Sequence, residues 1–212
     1  MKRISILGST GSIGINALSV INKLKKKFKV VALSAYKNGE LLVEQAKKYE
    51  PEVVSIIDLN AAELVKKELS NSSTKVLVGR EGLLDISKRD DLDLMLNGLV
   101  GASGMAPTLN AVEHGVDVAL SNKESLVMAG DLITKTSQEK GVKIFPVDSE
   151  HSAIWQCLVG ETMDDVNRII LTGSGGPFRT RNIDSFKSVT PEEALNIQIG
   201  IWVKKLRLTL QL

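Results

Sequence analysis

Five short stretches of this 212-residue sequence carry residues whose types and spacing could do chemistry. The first is Gly8-Ser9-Thr10-Gly11-Ser12-Ile13-Gly14. Glycines let the backbone turn sharply and approach a pyrophosphate, whose charge then meets the N-terminus of the following helix. A lone glycine triplet is weak evidence, but here a strand-like run precedes it and a helical pattern follows. The second stretch is Ser34-Ala35-Tyr36-Lys37-Asn38. An NAD site usually places Asp or Glu at the end of the second strand, for the ribose 2′-hydroxyl. No acid stands here, and Lys37 offers positive charge where a 2′-phosphate would lie, so NADP(H) is favoured over NAD(H).

Ser121-Asn122-Lys123-Glu124 follows an apolar run. The carboxyl ends of parallel strands are where open α/β sheets bind ligands. Asn122 can donate and accept, Lys123 can hold an anionic or metal-bound oxygen, and Glu124 can complete a network; a helix start with solvated charges is the plain alternative. Asp148-Ser149-Glu150 also follows a strand-like run. In extended backbone its two carboxylates point the same way and can share one hard cation. Otherwise they are two exposed acids in a turn. Gly173-Ser174-Gly175-Gly176-Pro177 could hold an anion on backbone amides and the Ser174 hydroxyl, or be an ordinary turn. Cys157, beside Trp155 and Leu158, reads as packed core rather than a nucleophile. His114 reads as a helix C-terminal residue before Gly115.

These residues need elements to position them, and the chain supplies an alternating pattern. Strands are expected at Arg3–Leu7, Lys29–Ser34, Val53–Ile57, Lys75–Val78, Leu94–Asn97 and Asp117–Leu120. Helical runs lie between them, among them 13–26, with Ile13, Leu18, Ile21 and Leu24 on one side, and 39–49. This rhythm predicts a Rossmann-like, doubly wound, mostly parallel α/β sheet. After Lys143–Pro146 the rhythm changes. A helical run at Ala153–Leu158, a strand at Arg168–Thr172 and a helix opened by Thr190-Pro191-Glu192-Glu193 follow, and a domain boundary is expected near Asp148.

Composition narrows the function classes. The chain is 43% hydrophobic with a net charge of +2, which excludes disorder and argues against a basic nucleic-acid binder. No apolar run is long enough to span a bilayer, and no signal segment is evident, so a cytoplasmic protein with no membrane partner is expected. One cysteine and two histidines exclude a disulfide framework, a thiolate zinc cluster and a multi-histidine site. Any metal here must be held by oxygen ligands, with Mg²⁺ or Mn²⁺ the natural guess.

Together the motifs resemble the 1-deoxy-D-xylulose 5-phosphate reductoisomerase family. The resemblance rests on the glycine loop at 8–14, Ser121-Asn122-Lys123-Glu124-Ser125-Leu126-Val127, Pro146-Val147-Asp148-Ser149-Glu150-His151-Ser152-Ala153 and Leu171-Thr172-Gly173-Ser174-Gly175-Gly176-Pro177-Phe178, in that order, and runs to about Asn196. Tyr36 departs from the glycine usual in the family. The resemblance implies an NADPH- and divalent-metal-dependent enzyme (Mg, Mn or Co) that rearranges and reduces a small phosphosugar, in a family usually homodimeric. It implies NADPH contacts at Thr10, Gly11, Ser12, Ile13, Lys37, Asn38, Asn122 and Glu124. Asp148 and Glu150 become metal ligands, Lys123 and Glu150 catalytic residues, and Lys123, Ser149, Glu150 and Ser174 substrate contacts. The implied organisation is an NADPH-binding domain at 1–147, the start of an α+β catalytic domain at 148–196, and an aberrant tail at 197–212.

That tail lacks the family's H-P-N-W-x-M-G-x-K-I-x-x-D-S-A. Codons can be written for Asn196–Leu212 such that one inserted nucleotide after the Asn196 codon yields N-H-P-N-W-D-M-G-K-K-I-T-I-D-S-A-T. A frameshift is expected there, a genuine terminal β-strand or hairpin over the apolar alternation of Ile197–Val203 and Leu206–Leu212 being the plain alternative. A frameshift would bring loss of the family's further metal-binding glutamate and phosphate-binding residues. Two other readings stand beside the enzyme: a catalytically inactive NADPH-binding module, and an aspartate-semialdehyde dehydrogenase, which would need Cys157 as a nucleophile.

Overall fold

The computed structural model describes residues 1–24, 26–170, 176–178 and 180–195. They fall into two compact units, one at Met1–Val159 and the other from Gly160 on.

In the first unit the chain runs β1 (Lys2–Leu7), α1 (Ser12–Lys23), β2 (Phe28–Ala35), α2 (Gly39–Tyr49), β3 (Val53–Ile56), α3 (Leu59–Glu68) and β4 (Lys75–Val78). Then come α4 (Gly79–Ser87), β5 (Leu94–Asn97), α5 (Met105–Glu113), β6 (Asp117–Leu120), α6 (Lys123–Lys140), β7 (Ile144–Pro146) and α7 (Ser149–Leu158). The seven strands form one sheet in the order β4-β3-β2-β1-β5-β6-β7, every pair parallel, as the alternating pattern predicts. Both faces are covered, so strands such as Val53-Val54-Ser55-Ile56 are buried throughout. On one face Ile6, Leu33, Val54 and Ile56 pack with Leu18 of α1, Leu42 of α2 and Val65 of α3. On the other, Leu7, Val31, Met95 and Val118 pack with Ile86 of α4, Val112 of α5 and Ile133 of α6. Truncating a fully buried residue such as Ile6 or Met95 to Ala would cost about 2–5 kcal/mol.

Local signals fix the helix ends. Asn38 and Asp58 cap α2 and α3, accepting from the Leu41 and Ala61 amides. Gly141 ends α6 in the left-handed region. His114 caps α5 just before Gly115, which has positive φ. From Gly160 on, the described residues form short 3₁₀ turns and one helix, α8 (Pro191–Leu195). Thr190 and Glu193 exchange the expected capping-box bonds ahead of α8.

Four expectations are corrected. α1 ends at Lys23 rather than Lys26, and Leu24 is half exposed beyond it. Cys157 is exposed, because α7 buries no residue. Arg168–Ile170 forms no strand. Asp148-Ser149-Glu150 is not extended: Asp148 precedes the first turn of α7 and the other two lie within it. Leu171–Thr172, the Ser174 loop and the tail at 197–212 lie outside the described residues.

The strand order reverses at β1, which has β2 on one side and β5 on the other. Doubly wound sheets open a crevice at that switch, at the carboxyl ends of the strands. The opposite end is tied by charge. Arg3 at the start of β1 and Arg89 after α4 both bond Glu52 before β3 and Asp91 before β5, and Lys29 joins Glu52. The Arg89 hydrogen bond, aided by Arg3 and opposed by burial, pulls Asp91 from 3.8 to about 2. A depressed folded-state pKa gives stability that is present above the unfolded value and lost as pH falls through the folded one. Asp91→Asn should therefore cost about 1 kcal/mol at neutral pH, partial exposure and screening holding it to that size. In urea titrations the gap from wild type should close between pH 3.8 and about 2; a gap unchanged across that window would contradict the ion-pair account.

Candidate functional site

The glycine loop joins β1 to α1 at the mouth of the crevice. Gly8 has φ +76°, a conformation that favours glycine, and a Cβ there would lie 3.1 Å from the Gly98 carbonyl oxygen. At Gly14 the constraint is tighter. A Cβ would lie 2.4 Å from the Ser9 Cα and 2.5 Å from the Gly8 carbonyl oxygen. The loop is held from the β2 side. Gly8 N–H donates to Ser34 Oγ at 3.1 Å and Ser9 N–H to the Ser34 carbonyl at 2.8 Å. Gln45 of α2 grips Ser9 twice: its Oε1 accepts from Ser9 Oγ at 2.6 Å and its Nε2 donates to the Ser9 carbonyl at 2.9 Å.

Gly11 is the N-cap of α1 and offers no side chain to cap it. The N–H groups of the first turn, at Ser12, Ile13 and Gly14, have no acceptor within the helix. They and the helix dipole suit an anion. Thr10 and Ile13 are half-buried at this rim, and Gly11 and Ser12 exposed. Lys37 and Asn38 are exposed after β2, at the start of α2.

Across the switch, β6 delivers Asn122, Lys123 and Glu124 to the start of α6, and β7 delivers Asp148, Ser149 and Glu150 to the start of α7. Lys123 Nζ donates to Asp148 Oδ2 at 2.9 Å, and His151 Nδ1 lies 3.3 Å from Asp148 Oδ1. Ser149 Oγ donates to Glu150 Oε2 at 2.6 Å. Burial would raise the Asp148 pKa, but the Lys123 and His151 hydrogen bonds outweigh it and hold the carboxyl below its ordinary value. The same Asp148 bond raises the Lys123 ammonium. An open groove of about 380 Å³ lies alongside, with Leu126, Ile144, Pro146, Ile154 and Trp155 in its wall. Apolar walls with a few convergent polar groups are how small-molecule sites are built.

The fold thus brings Lys123 and Asp148 into contact and sets Ser149 and Glu150 beside them, while Glu124 stands half-buried at the start of α6. Asn122 is buried, and its side chain is fully engaged within the protein. The donors suited to a hard cation are all oxygens, Asp148 and Glu150, and both Asp148 oxygens already have partners, Lys123 Nζ on one and His151 Nδ1 near the other. Among the described residues no three His, Cys, Asp or Glu side chains gather as a metal cage. Gln45 and Asn97 escape motif-based reading. Their only signal is a polar residue within an otherwise apolar pattern, as in Leu94-Met95-Leu96-Asn97.

A glycine loop at the switch point of a parallel sheet, facing a lysine–carboxylate cluster, defines a Rossmann-like α/β protein. The sequence profile of 1-deoxy-D-xylulose 5-phosphate reductoisomerase matches residues 4–130, and that of the same enzyme's C-terminal domain matches residues 144–200. The chain belongs to the 1-deoxy-D-xylulose 5-phosphate reductoisomerase family. It is 48% identical over 196 residues to the reductoisomerase of Chloroherpeton thalassium, covering 92% of this chain and 51% of that protein. The Thermodesulfovibrio yellowstonii reductoisomerase is 46% identical over the same shares. The chain therefore spans about half the length of the curated relatives it matches. Among solved structures, the Zymomonas mobilis reductoisomerase in complex with NADPH superposes with a TM-score of 0.83 at 38% identity, over 92% of this chain and 51% of that one. A reductoisomerase in complex with NADPH, fosmidomycin and magnesium gives 0.79 at 32% identity, over 93% and 51%.

Gly14 supplies a test with a definite sign. It lies inside a helix, where Gly→Ala ordinarily stabilises by about 1 kcal/mol. The Ser9 backbone cannot yield to a new Cβ without moving the loop, so Gly14→Ala should instead lower stability by about 1–3 kcal/mol in urea denaturation. A stabilised variant would show that the close packing of loop and helix does not exist.

Proposed function

We propose that this chain binds NADPH across the β1–β5 switch and carries the cofactor-binding half, with part of the metal and substrate site, of an enzyme converting 1-deoxy-D-xylulose 5-phosphate to 2-C-methyl-D-erythritol 4-phosphate. The observation that carries this reading is the meeting, at one sheet end, of the glycine loop on β1–α1 and the Lys123–Asp148 pair on β6 and β7. Gly14 supports the fit to a dinucleotide, since the space a Cβ would fill is what lets α1 start directly behind the loop.

Ser12 and Ile13 present first-turn amides to the pyrophosphate, and Thr10 and Gly11 form the loop against it, the Gly11 N–H itself donating to the Gly8 carbonyl at 3.0 Å. Lys37 and Asn38 take the 2′-phosphate, and Asn122 and Glu124 the far half of the cofactor. Asp148 and Glu150 hold the divalent cation. Lys123, Ser149 and Glu150 orient the substrate oxygens, with Lys123 and Glu150 placed to hold or move protons there; Ser174, outside the described residues, carries the family's substrate-phosphate contact. NADPH supplies the hydride and the cation polarises a carbonyl as a Lewis acid. Residues 1–147 serve the cofactor and 148–196 begin the catalytic part.

Lys123 sits on Asp148 Oδ2; a divalent cation held by Asp148 and Glu150 would compete for that carboxylate, and Lys123 would then be available to a substrate oxygen. Two carboxylates make an open site for a hard cation. A second reading, a cofactor-binding module without turnover, is favoured by the absence of a three-ligand cage among the described residues.

Fluorescence titration of the purified chain should give NADPH about tenfold tighter binding than NADH, the worth of one charge-assisted phosphate contact. Lys37→Gln should narrow the ratio, and equal affinities in wild type would remove the 2′-phosphate role. In a full-length version, Asp148→Asn should keep NADPH affinity within about twofold yet lose most turnover, because only metal binding is disturbed. Normal rates at limiting Mg²⁺ would show that Asp148 is not a ligand.

A further inference from the structure

Two amide side chains at the carboxyl ends of neighbouring strands are buried and engaged at both ends: Asn97 on β5, 0% exposed, and Asn122 after β6, 1% exposed. Asn122 Nδ2 donates to the Leu99 carbonyl at 3.0 Å and to the Gly101 carbonyl at 2.8 Å. Its Oδ1 accepts from Ser125 N–H at 2.9 Å and from Ser125 Oγ. A primary amide donates twice and offers two lone pairs, so this side chain has nothing left for a ligand. Asn97 holds the same loop from below. Its Nδ2 donates to the Gly104 carbonyl and to Thr108 Oγ1, both at 2.8 Å, and its Oδ1 accepts from Leu99 N–H at 3.1 Å.

Between them the two asparagines occupy three carbonyls and one amide of the seven-residue loop Gly98–Gly104. Gly104 is shaped to the staple: a Cβ there would lie 2.6 Å from Asn122 Cγ. The other end of the loop is seated on the end of β1, with Gly98 N–H donating to the Leu7 carbonyl at 3.0 Å, and lies against Gly8. The loop therefore lines the β5 side of the switch, away from Lys37 and α2. A dinucleotide lying across the switch puts its adenosine half over β2 and its nicotinamide half over β5 and β6.

We infer that Asn122 is a positioning residue, whose buried amide staples the Gly98–Gly104 loop to the start of α6 and so shapes the nicotinamide half of the cofactor site while leaving the adenosine half alone. This rests on the NADPH reading above and refines the contact there assigned to Asn122: the side chain acts through the loop. Asn122 also caps α6, and the two roles separate chemically. Aspartate is an equally good N-cap and keeps the bonds accepted from Ser125, but it can donate nothing to Leu99 and Gly101.

The test compares NADPH with adenosine 2′,5′-bisphosphate, which carries only the adenosine half, by calorimetric titration of the whole chain. Asn122→Asp should weaken NADPH about tenfold or more, the scale of a buried polar group left unpaired, and leave the bisphosphate within about twofold. Gly104→Ala, which adds no charge and keeps Asn122, displaces the amide from the other side and should give the same split. The double variant should be no weaker than the worse single one, because both remove one staple. Unchanged NADPH affinity in either folded variant, equal weakening of both ligands, or additive losses would overturn the inference. Wild-type chain that binds the bisphosphate but not NADPH would also overturn it, leaving the adenosine site standing. Wild type that binds neither would overturn the NADPH reading itself.

Discussion

The approach of α1 to the β1 turn is the contact on which the rest of the site depends. Only a residue without a Cβ fits at Gly14, against Ser9 and the Gly8 carbonyl. That closeness lets the helix begin immediately behind the loop, so the free amides of its first turn face the crevice instead of the core. It also sets how far α1 stands from β1, and hence how Leu18 reaches the core formed by Ile6, Leu33 and Ile56. The loop cannot drift, because Ser34 and Gln45 hold it from the β2 side and Gly98 meets it from the β5 side. One packing constraint thus links core, helix direction and anion site.

The two ends of the sheet do different work. At the amino ends of the strands, Arg3, Lys29, Arg89, Glu52 and Asp91 form a closed set of ion pairs that joins β1, β2, β3 and β5. At the carboxyl ends the polar groups are arranged differently. Some are buried and consumed internally, as Gln45, Asn97 and Asn122 are. Others stand at the rim with capacity to spare, as Lys37, Lys123 and Glu150 do. The buried amides hold the loops still, and the rim groups are free to meet a ligand, the arrangement that preorganised sites require.

Much of this was legible in the sequence, for identifiable reasons. Apolar strands of fixed length between helical runs reveal a two-face-buried sheet, and β4, β5 and β6 carry the expected bounds. Glycines in a strand–turn–helix context reveal the loop. Residues that act through other residues leave no such mark: Gln45 and Asn97 look like ordinary polar positions until the loops they hold are seen. The Asp148–Glu150 pair was visible, but not its backbone, because a helix can begin on an acid as readily as a turn can contain one. Cys157 is exposed despite its apolar neighbours, because Trp155 and Leu158 line a groove instead of a closed core.

Amide chemical-shift mapping on the isotopically labelled chain, with NADPH added, reads the glycine loop and the β5–β6 loops at once. Changes should concentrate at Gly8–Gly14, Lys37–Gly39, Gly98–Gly104 and Asn122–Ser125, with Glu52 and Asp91 at the far end of the sheet unmoved. No perturbation at saturating NADPH, or perturbation centred on the charged end, would contradict NADPH binding across the switch.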